Sequence, residues 1–311
     1  MLNITKILVP VDFSEPSKTA VNYGLSLALQ FNAGLVLAHI VPSSLVSAYT
    51  FPTESFAFEK DQAESAKTTL PTLVPAECRE RVRLGTIVKV GDVRSELLGM
   101  IHDENPDLLV MGTHGRNVFE RFLLGSLTER MLRKVSVPIL TVSHLAPTRE
   151  LHTIGPVPLR HVLYATDLSA GAESGLRFSA ELARGAVARL SVVHVFKSLD
   201  RIYWAAEAGY IGDEILSMKE DAERRLHSSI PSDLPTTLQV EPVMLDGEAY
   251  REILNFADEQ NVDIIVMNMQ SKTALERAML GSTAERVIRG AHVPVLSIPI
   301  AADDGAKNVA A

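Results

Sequence analysis

Glycine and serine residues between two apolar segments give this sequence its clearest potential for ligand chemistry. The residues are Gly112, Gly115, Gly125 and Ser126. They follow the apolar run 107–111, and an apolar helical pattern begins after them. Glycine allows a ligand to approach the backbone closely, and the first turn of a helix offers unpaired N–H groups at the positive end of its dipole. The spacing predicts a loop that holds a phosphate chain.

The elements that must position this loop alternate between strands and helices. Apolar, β-rich runs at 6–11, 35–40, 82–90, 107–111 and 137–142 read as strands, and helical patterns lie between them. Ser14 is a good N-cap and Pro16 suits the first turn of the helix that follows. The alternation predicts an α/β fold with a parallel, doubly wound sheet and right-handed crossovers.

The whole pattern repeats after about 155 residues, which indicates duplication of a complete domain. We expect domains at 1–145 and 159–300, a linker at 146–158 and a flexible tail at 301–311.

The two copies differ in the glycine loop, where Asn268 replaces Gly112 and Ser271 replaces Gly115. Asn268 is able to keep a left-handed turn, but we expect its side chain to add bulk beside the ligand. Gly281 and Ser282 repeat the helix start and are able to hold an anion. The sequence therefore predicts an intact first site and a weakened or remodelled second one.

Composition narrows the classes of function. The net charge of −8 argues against nucleic-acid binding. We find no apolar run of roughly 18 residues, so we expect neither a membrane span nor a membrane partner. Cys78 is the single cysteine, which excludes an intramolecular disulfide. The N-terminus lacks a signal-peptide layout, and a cytoplasmic location is the expectation.

The loop Gly112-x2-Gly115-x9-Gly125-Ser126, placed after 108–111, resembles the ATP-binding loop of the universal stress protein family. The segments 10–14 and 39–40 resemble the ends of that family's first two strands. The resemblance implies two Rossmann-like sheets of strand order 3-2-1-4-5. It also implies antiparallel pairing of 138–142 with 294–298, so that one chain supplies a pseudo-dimer related by a pseudo-two-fold. A further homodimer is left open.

The resemblance also implies roles for single residues in binding ATP or a related adenine nucleotide. Asp12 would contact ribose hydroxyls or a Mg²⁺ ion near the phosphates; its alternative is a turn or capping residue. Ser126 would cap its helix and contact phosphate. Asp167 repeats Asp12 in the weaker second site, with Gly281 and Ser282. The remaining candidate binding residues of the first half are Pro10, Val11, Ile40, Met111, Gly112, His114, Gly115, Arg116, Gly125 and Leu127.

Several of these residues have an ordinary structural alternative. Val11 and Ile40 would flank adenine through backbone and apolar groups, or are plain core residues. Arg116 would reach the phosphate tail, or is a solvated loop charge. His39 and His194, on predicted buried strands, are interpreted as hydrogen-bonded core residues rather than metal ligands, because no second His or Cys has ligand spacing nearby.

Three kinds of function fit this pattern. The favoured one is a nucleotide-binding stress or signalling protein that acts through its conformation or through partners. The second is a slow ATPase or nucleotidyl-transferring enzyme, although the glycines are not followed by the Gly-Lys-Ser/Thr of a P-loop and no acid–base pair accompanies them. The third is a scaffold whose second half binds no nucleotide or another ligand. The aromatic residues Tyr203, Trp204 and Tyr210 have no assigned role.

Overall fold

The computed structural model describes residues 4–43, 52–113, 124–143, 145–146, 159–169, 171–197, 211–269 and 281–299. His114, Gly115, Arg116 and Ser271 lie outside these ranges, as do the three aromatic residues at 203, 204 and 210 and the predicted tail.

The first half alternates five strands with helices, as its sequence predicts. Its elements are β1 (Lys6–Pro10), α1 (Glu15–Phe31), β2 (Gly34–Pro42), α2 (Pro52–Thr69), a 3₁₀ turn (Leu70–Leu73), α3 (Ala76–Arg79), β3 (Arg83–Gly91), α4 (Val93–Glu104), β4 (Leu108–Gly112), α5 (Ser126–Lys134) and β5 (Ile139–Val142).

Local sequence signals explain the ends of α1. The Ser14 side chain accepts a hydrogen bond from the Ser17 N–H, and Pro16 lies in the first turn. Asn32 ends the helix in the left-handed conformation with φ 52°, which asparagine tolerates better than most residues. The chain then turns directly into β2.

The second half repeats this order. Its elements are β6 (His161–Ala165), α6 (Ala172–Ala186), β7 (Arg189–Phe196), α7 (Ile211–Ser229), β8 (Val240–Asp246), α8 (Ala249–Glu259), β9 (Ile264–Met269), α9 (Ser282–Gly290) and β10 (Val295–Pro299).

One ten-stranded sheet runs through both halves in the order β3-β2-β1-β4-β5-β10-β9-β6-β7-β8. Pairing within each half is parallel, and β5 pairs with β10 antiparallel, Leu140 opposite Leu296. The predicted strand order and the predicted junction between the halves are both confirmed. Because the junction is antiparallel, the carboxyl ends of the strands in the two halves lie at opposite edges of the sheet.

Helices cover both faces of the sheet. Alternate strand residues contribute to two apolar clusters, so that Ile7 and Val9 pack on one face and Leu8 on the other. This double coverage explains why the strand segments read as continuous apolar runs. Within the described ranges, no helix has the length and apolarity needed to cross a membrane.

Candidate functional site

A cavity of about 460 Å³ lies where β1, β2 and β4 end and α5 begins. This is the edge at which open α/β sheets bind their ligands. Nine of the residues that the sequence singles out line it: Pro10, Val11, Asp12, Ile40, Met111, Gly112, Gly125, Ser126 and Leu127. The other three candidates in the loop, at 114–116, lie outside the described residues.

Apolar side chains form one wall of this cavity. Ile40 and Met111 are both buried, and each contributes to the cavity lining from the end of its strand. Leu97, fully buried on α4, extends the wall and was not anticipated from the sequence. Such a surface suits the flat, weakly polar face of a nucleobase.

The turn after β1 is held in place by backbone groups. The Val11 N–H donates to the Ala38 carbonyl at 2.7 Å, and the Val11 carbonyl lies 2.6 Å from His39 Nδ1. Val11 therefore cannot offer its backbone N–H to a ligand, contrary to the sequence-based interpretation of its backbone groups. Alternate residues of a strand direct their backbone N–H and carbonyl groups to the same side. The backbone groups of Ile40 therefore point to the same side as those of Ala38, but they lie beyond the end of β1.

His39 and His194 both hydrogen-bond to the turns that follow the first strand of their half; His39 is buried, as predicted, whereas His194 is half-buried and lines the second cavity. His194 Nδ1 lies 2.9 Å from the Thr166 carbonyl, which repeats the contact between His39 and Val11. The His39 ring also packs on Phe13, with ring centroids 4.7 Å apart.

Asp12 takes part in the turn that leads into α1. Its Oδ1 accepts hydrogen bonds from the N–H and the hydroxyl of Ser14, the N–H at 3.0 Å. The next residue, Phe13, has φ 64°, an uncommon conformation for a bulky side chain. Asp12 therefore acts as a turn residue, which was the structural alternative to ligand binding. The same hydrogen bonds hold its carboxylate at the rim of the cavity.

Gly112 is required by packing rather than by an unusual turn. It closes β4 and is not among the described glycines with positive φ. A Cβ on Gly112 would lie 3.0 Å from three atoms of Pro16, two of them backbone atoms. The absence of a side chain therefore allows the start of α1 to approach the end of β4.

Gly125, rather than Ser126, is the N-cap of α5. Its φ of −56° and ψ of 135° are accessible to any residue, and no side chain caps the helix. The prediction that Ser126 caps the helix is wrong, because Ser126 is already the first helical residue. Its exposed side chain borders the cavity beside the first-turn N–H groups, where an anion is stabilised by the helix dipole.

Thr128 is a cavity residue that the sequence reasoning missed. Its hydroxyl donates to the Gly112 carbonyl at 2.9 Å, and only 4% of the residue is exposed. A signal was available in the sequence, because the second copy has Ala284 at this position.

A smaller cavity of about 280 Å³ occupies the equivalent position in the second half. Asp167, Gly281 and Ser282 line it, with Val195 and Met267 in the places of Ile40 and Met111. Gly281 is the N-cap of α9 and Ser282 its first helical residue, as in the first half.

The structure contradicts the expected left-handed turn at Asn268, although Asn268 does line the second cavity. Its backbone is not left-handed, and its amide donates to the Gly171 carbonyl at 2.6 Å at the start of α6. A Cβ on Gly175 would lie 1.7 Å from its Oδ1, so the side chain extends toward the helix and adds its bulk there.

Tyr164 completes the altered packing around Asn268. Its hydroxyl donates to the Ala172 carbonyl at 2.7 Å and lies 3.4 Å from Asn268 Oδ1. Burial raises the pKa of this hydroxyl above its ordinary value, so Tyr164 stays protonated and serves as a donor. The equivalent residue of the first half is Val9.

A larger cleft, of about 610 Å³, lies on the α6 and α7 side of the β6 end. Its arginines are engaged within the protein: Arg177 pairs with Glu173 and Asp233, and Arg225 donates to the Leu168 carbonyl. In the part of the chain that the structure describes, no three His, Cys, Asp or Glu side chains converge as a metal site.

Comparison with known proteins defines the class of this chain. The sequence pattern of the universal stress protein family matches residues 3–143 and 158–299. The chain therefore belongs to the universal stress protein family, with two copies of its domain in tandem.

Individual relatives are consistent with this assignment. Universal stress protein MJ0531 of Methanocaldococcus jannaschii is 40% identical over 81 residues, which are 26% of this chain and about half (48%) of that protein. Universal stress protein MJ0577 of the same organism is 27% identical over 151 residues, covering 44% of this chain and 93% of its own length. The crystal structure of a universal stress protein from Archaeoglobus fulgidus, 22% identical, shares the fold over 96% of this chain and 98% of its own, with a TM-score of 0.66.

Proposed function

We propose that the first half of this chain binds an adenine nucleotide, with ATP as the expected ligand. The observation that carries the proposal is that one cavity joins an apolar wall to the N-terminus of α5. A base and a phosphate chain need these two surfaces within one ligand's reach.

Each part of the nucleotide has a candidate partner. Ile40 and Met111 would enclose the base, and the backbone groups of Ile40 would meet its polar edge. The Asp12 carboxylate would contact ribose hydroxyls or a Mg²⁺ ion carried with the phosphates. The first-turn N–H groups of α5 and the Ser126 hydroxyl would hold the phosphates, with His114, Gly115 and Arg116 supplied by the loop.

The two halves are not equivalent in this proposal. The cavity of the second half is the smaller one, so Asp167, Gly281 and Ser282 would form a weaker site or hold a different anion. Binding in the first half would alter the conformation or partner contacts of the whole chain, which is the proposed stress or signalling output.

Nucleotide content tests the proposal directly. The purified chain is denatured, the released nucleotides are identified and counted, and titration calorimetry with ATP gives the affinity and stoichiometry. We expect one nucleotide per chain. No released adenine nucleotide together with no measurable ATP binding would refute the proposal, and two equivalent sites would refute the asymmetry.

Gly125→Val is a suitable binding-deficient variant. The Gly125 backbone conformation accepts a side chain, which would then border the phosphate region, whereas a side chain on Gly112 would collide with α1. Gly281→Val is the matched control, because a Cβ there meets no atom within 4 Å. We expect the first variant to lose ATP binding with an unchanged melting temperature and the second to keep it. Phosphate release by the same samples tests the alternative of slow ATP hydrolysis.

A further inference from the structure

The segment 114–123 leaves and re-enters the described structure at two points that lie close together. At its base, the Gly125 N–H donates to the Thr113 carbonyl at 2.7 Å. The Thr113 N–H in turn donates to the Val142 carbonyl of β5 at 2.9 Å. The loop that carries His114, Gly115 and Arg116 is therefore closed at its base by backbone hydrogen bonds.

Thr128 adds a side-chain bond to this closure. It lies in the first turn of α5, and its hydroxyl donates to the Gly112 carbonyl at the end of β4. The bond joins the helix that would hold phosphate to the strand that would border the base. Because Thr128 is buried and Gly112 is half-buried at the cavity wall, loss of this bond would remove a direct link between α5 and β4.

The second half lacks this arrangement. Ala284 replaces Thr128 and has no hydroxyl, so its side chain cannot bond to the end of β9 as that of Thr128 bonds to the end of β4. The rest of the helix start is retained, since Glu285 N–H donates to the Gly281 carbonyl as Glu129 N–H does to that of Gly125. At the helix start, the two halves therefore share the first-turn backbone bond and differ in the side chain at the position of Thr128.

We propose that Thr128 is a positioning residue that holds the base of the nucleotide loop closed, and that its replacement by Ala284 weakens the second site. This inference rests on the proposed binding of an adenine nucleotide to the first half. The physical reason is preorganisation: the bond fixes the start of α5 against the end of β4, so the first-turn N–H groups and the apolar wall keep their separation before the ligand binds. The asymmetry of the halves then arises at the helix start rather than at Asn268.

A set of threonine variants tests the proposal. Thr128→Val removes the hydroxyl and keeps the side-chain shape, whereas Thr128→Ser keeps the hydroxyl and removes the methyl group. We expect Thr128→Val to weaken ATP binding about tenfold, the effect of losing one hydrogen bond that positions the site, and Thr128→Ser to bind within about twofold of the unaltered chain. Thr68→Val, which removes an exposed hydroxyl on α2, is the control and should change nothing.

Amide hydrogen exchange of the nucleotide-free chain measures the stability of the hydrogen bond from the Gly125 N–H to the Thr113 carbonyl independently of ATP binding. The Gly125 amide should exchange faster in Thr128→Val and at the original rate in Thr128→Ser. Unchanged exchange in Thr128→Val would overturn the closure, and faster exchange with unchanged ATP affinity would overturn its role in binding. If the unaltered chain binds no ATP, the proposed function and the role in binding both fail, while the exchange rates still decide whether Thr128 closes the loop.

Discussion

Replacing Asn268 by glycine tests whether its side chain obstructs the second cavity, as the sequence suggests, or stabilises α6, as the structure indicates. If the Asn268 side chain obstructed the second cavity, Asn268→Gly would restore a second nucleotide site. The structure instead places its amide against α6, bonded to the Gly171 carbonyl at 2.6 Å. We therefore expect a less stable protein and no gain in nucleotide binding.

The size of the loss follows from the contacts of Asn268. The lost hydrogen bond contributes about 1 kcal/mol, the gap left beside Tyr164 about 1 kcal/mol more, and glycine within a strand roughly 0.5–1 kcal/mol. The total is about 2–3 kcal/mol of unfolding free energy, measured by urea denaturation of the whole chain. The nucleotide count per chain should stay unchanged.

Two outcomes would refute this reasoning. A second equivalent nucleotide in Asn268→Gly would show that the side chain obstructs the site. Unchanged stability would show that its contacts with α6 contribute nothing. Gly112→Asn provides the reciprocal case: its side chain would collide with Pro16, and overpacking of this kind costs about 1–3 kcal/mol.

Further predictions concern stability and pH. Val187 ends α6 with φ 56° and is 94% exposed. Val187→Asn, which copies Asn32, should therefore raise the unfolding free energy by about 1 kcal/mol. A lower unfolding free energy in urea denaturation would contradict this. His39→Leu should weaken ATP binding about fivefold in calorimetry, because the Val11 carbonyl loses its donor. His39→Asn should retain most of the affinity, and equal affinities of the two variants would show that the bond to Val11 does not support binding. Burial, with a smaller contribution from Arg189, lowers the pKa of His161 below 6.5. The unfolded chain therefore binds more protons just below pH 6.5, and stability should fall as the pH drops through that region, less so in His161→Gln; parallel pH profiles would contradict this.

Much of the fold could be predicted because its signals are local. The strand runs, Ser14 and Pro16 at the start of α1, and Asn32 at its end are each read from neighbouring residues, and the structure has them in those roles. The junction between β5 and β10 came from the family resemblance, since no local signal shows which strand edges meet.

The site was predicted less completely, because its geometry depends on contacts between distant segments. Nine candidate residues line the cavity, but Leu97 and Thr128 were missed because they come from helices read only as packing elements. The interpretation of Ser126 as a cap failed because the helix begins one residue earlier than assumed, a common uncertainty at helix ends.

The sequence by itself determined the duplicated α/β architecture, the family and the loop at which a ligand is expected. These depend on periodicity, glycine spacing and the repeat, all of which are properties of the chain order. The direction of a side chain is not such a property. Only the tertiary structure decided that Gly112 makes room for α1, that the Asn268 amide bonds to the start of α6, and that Thr128 joins α5 to β4. The reason is that each depends on the approach of a helix and a strand that are far apart in the sequence.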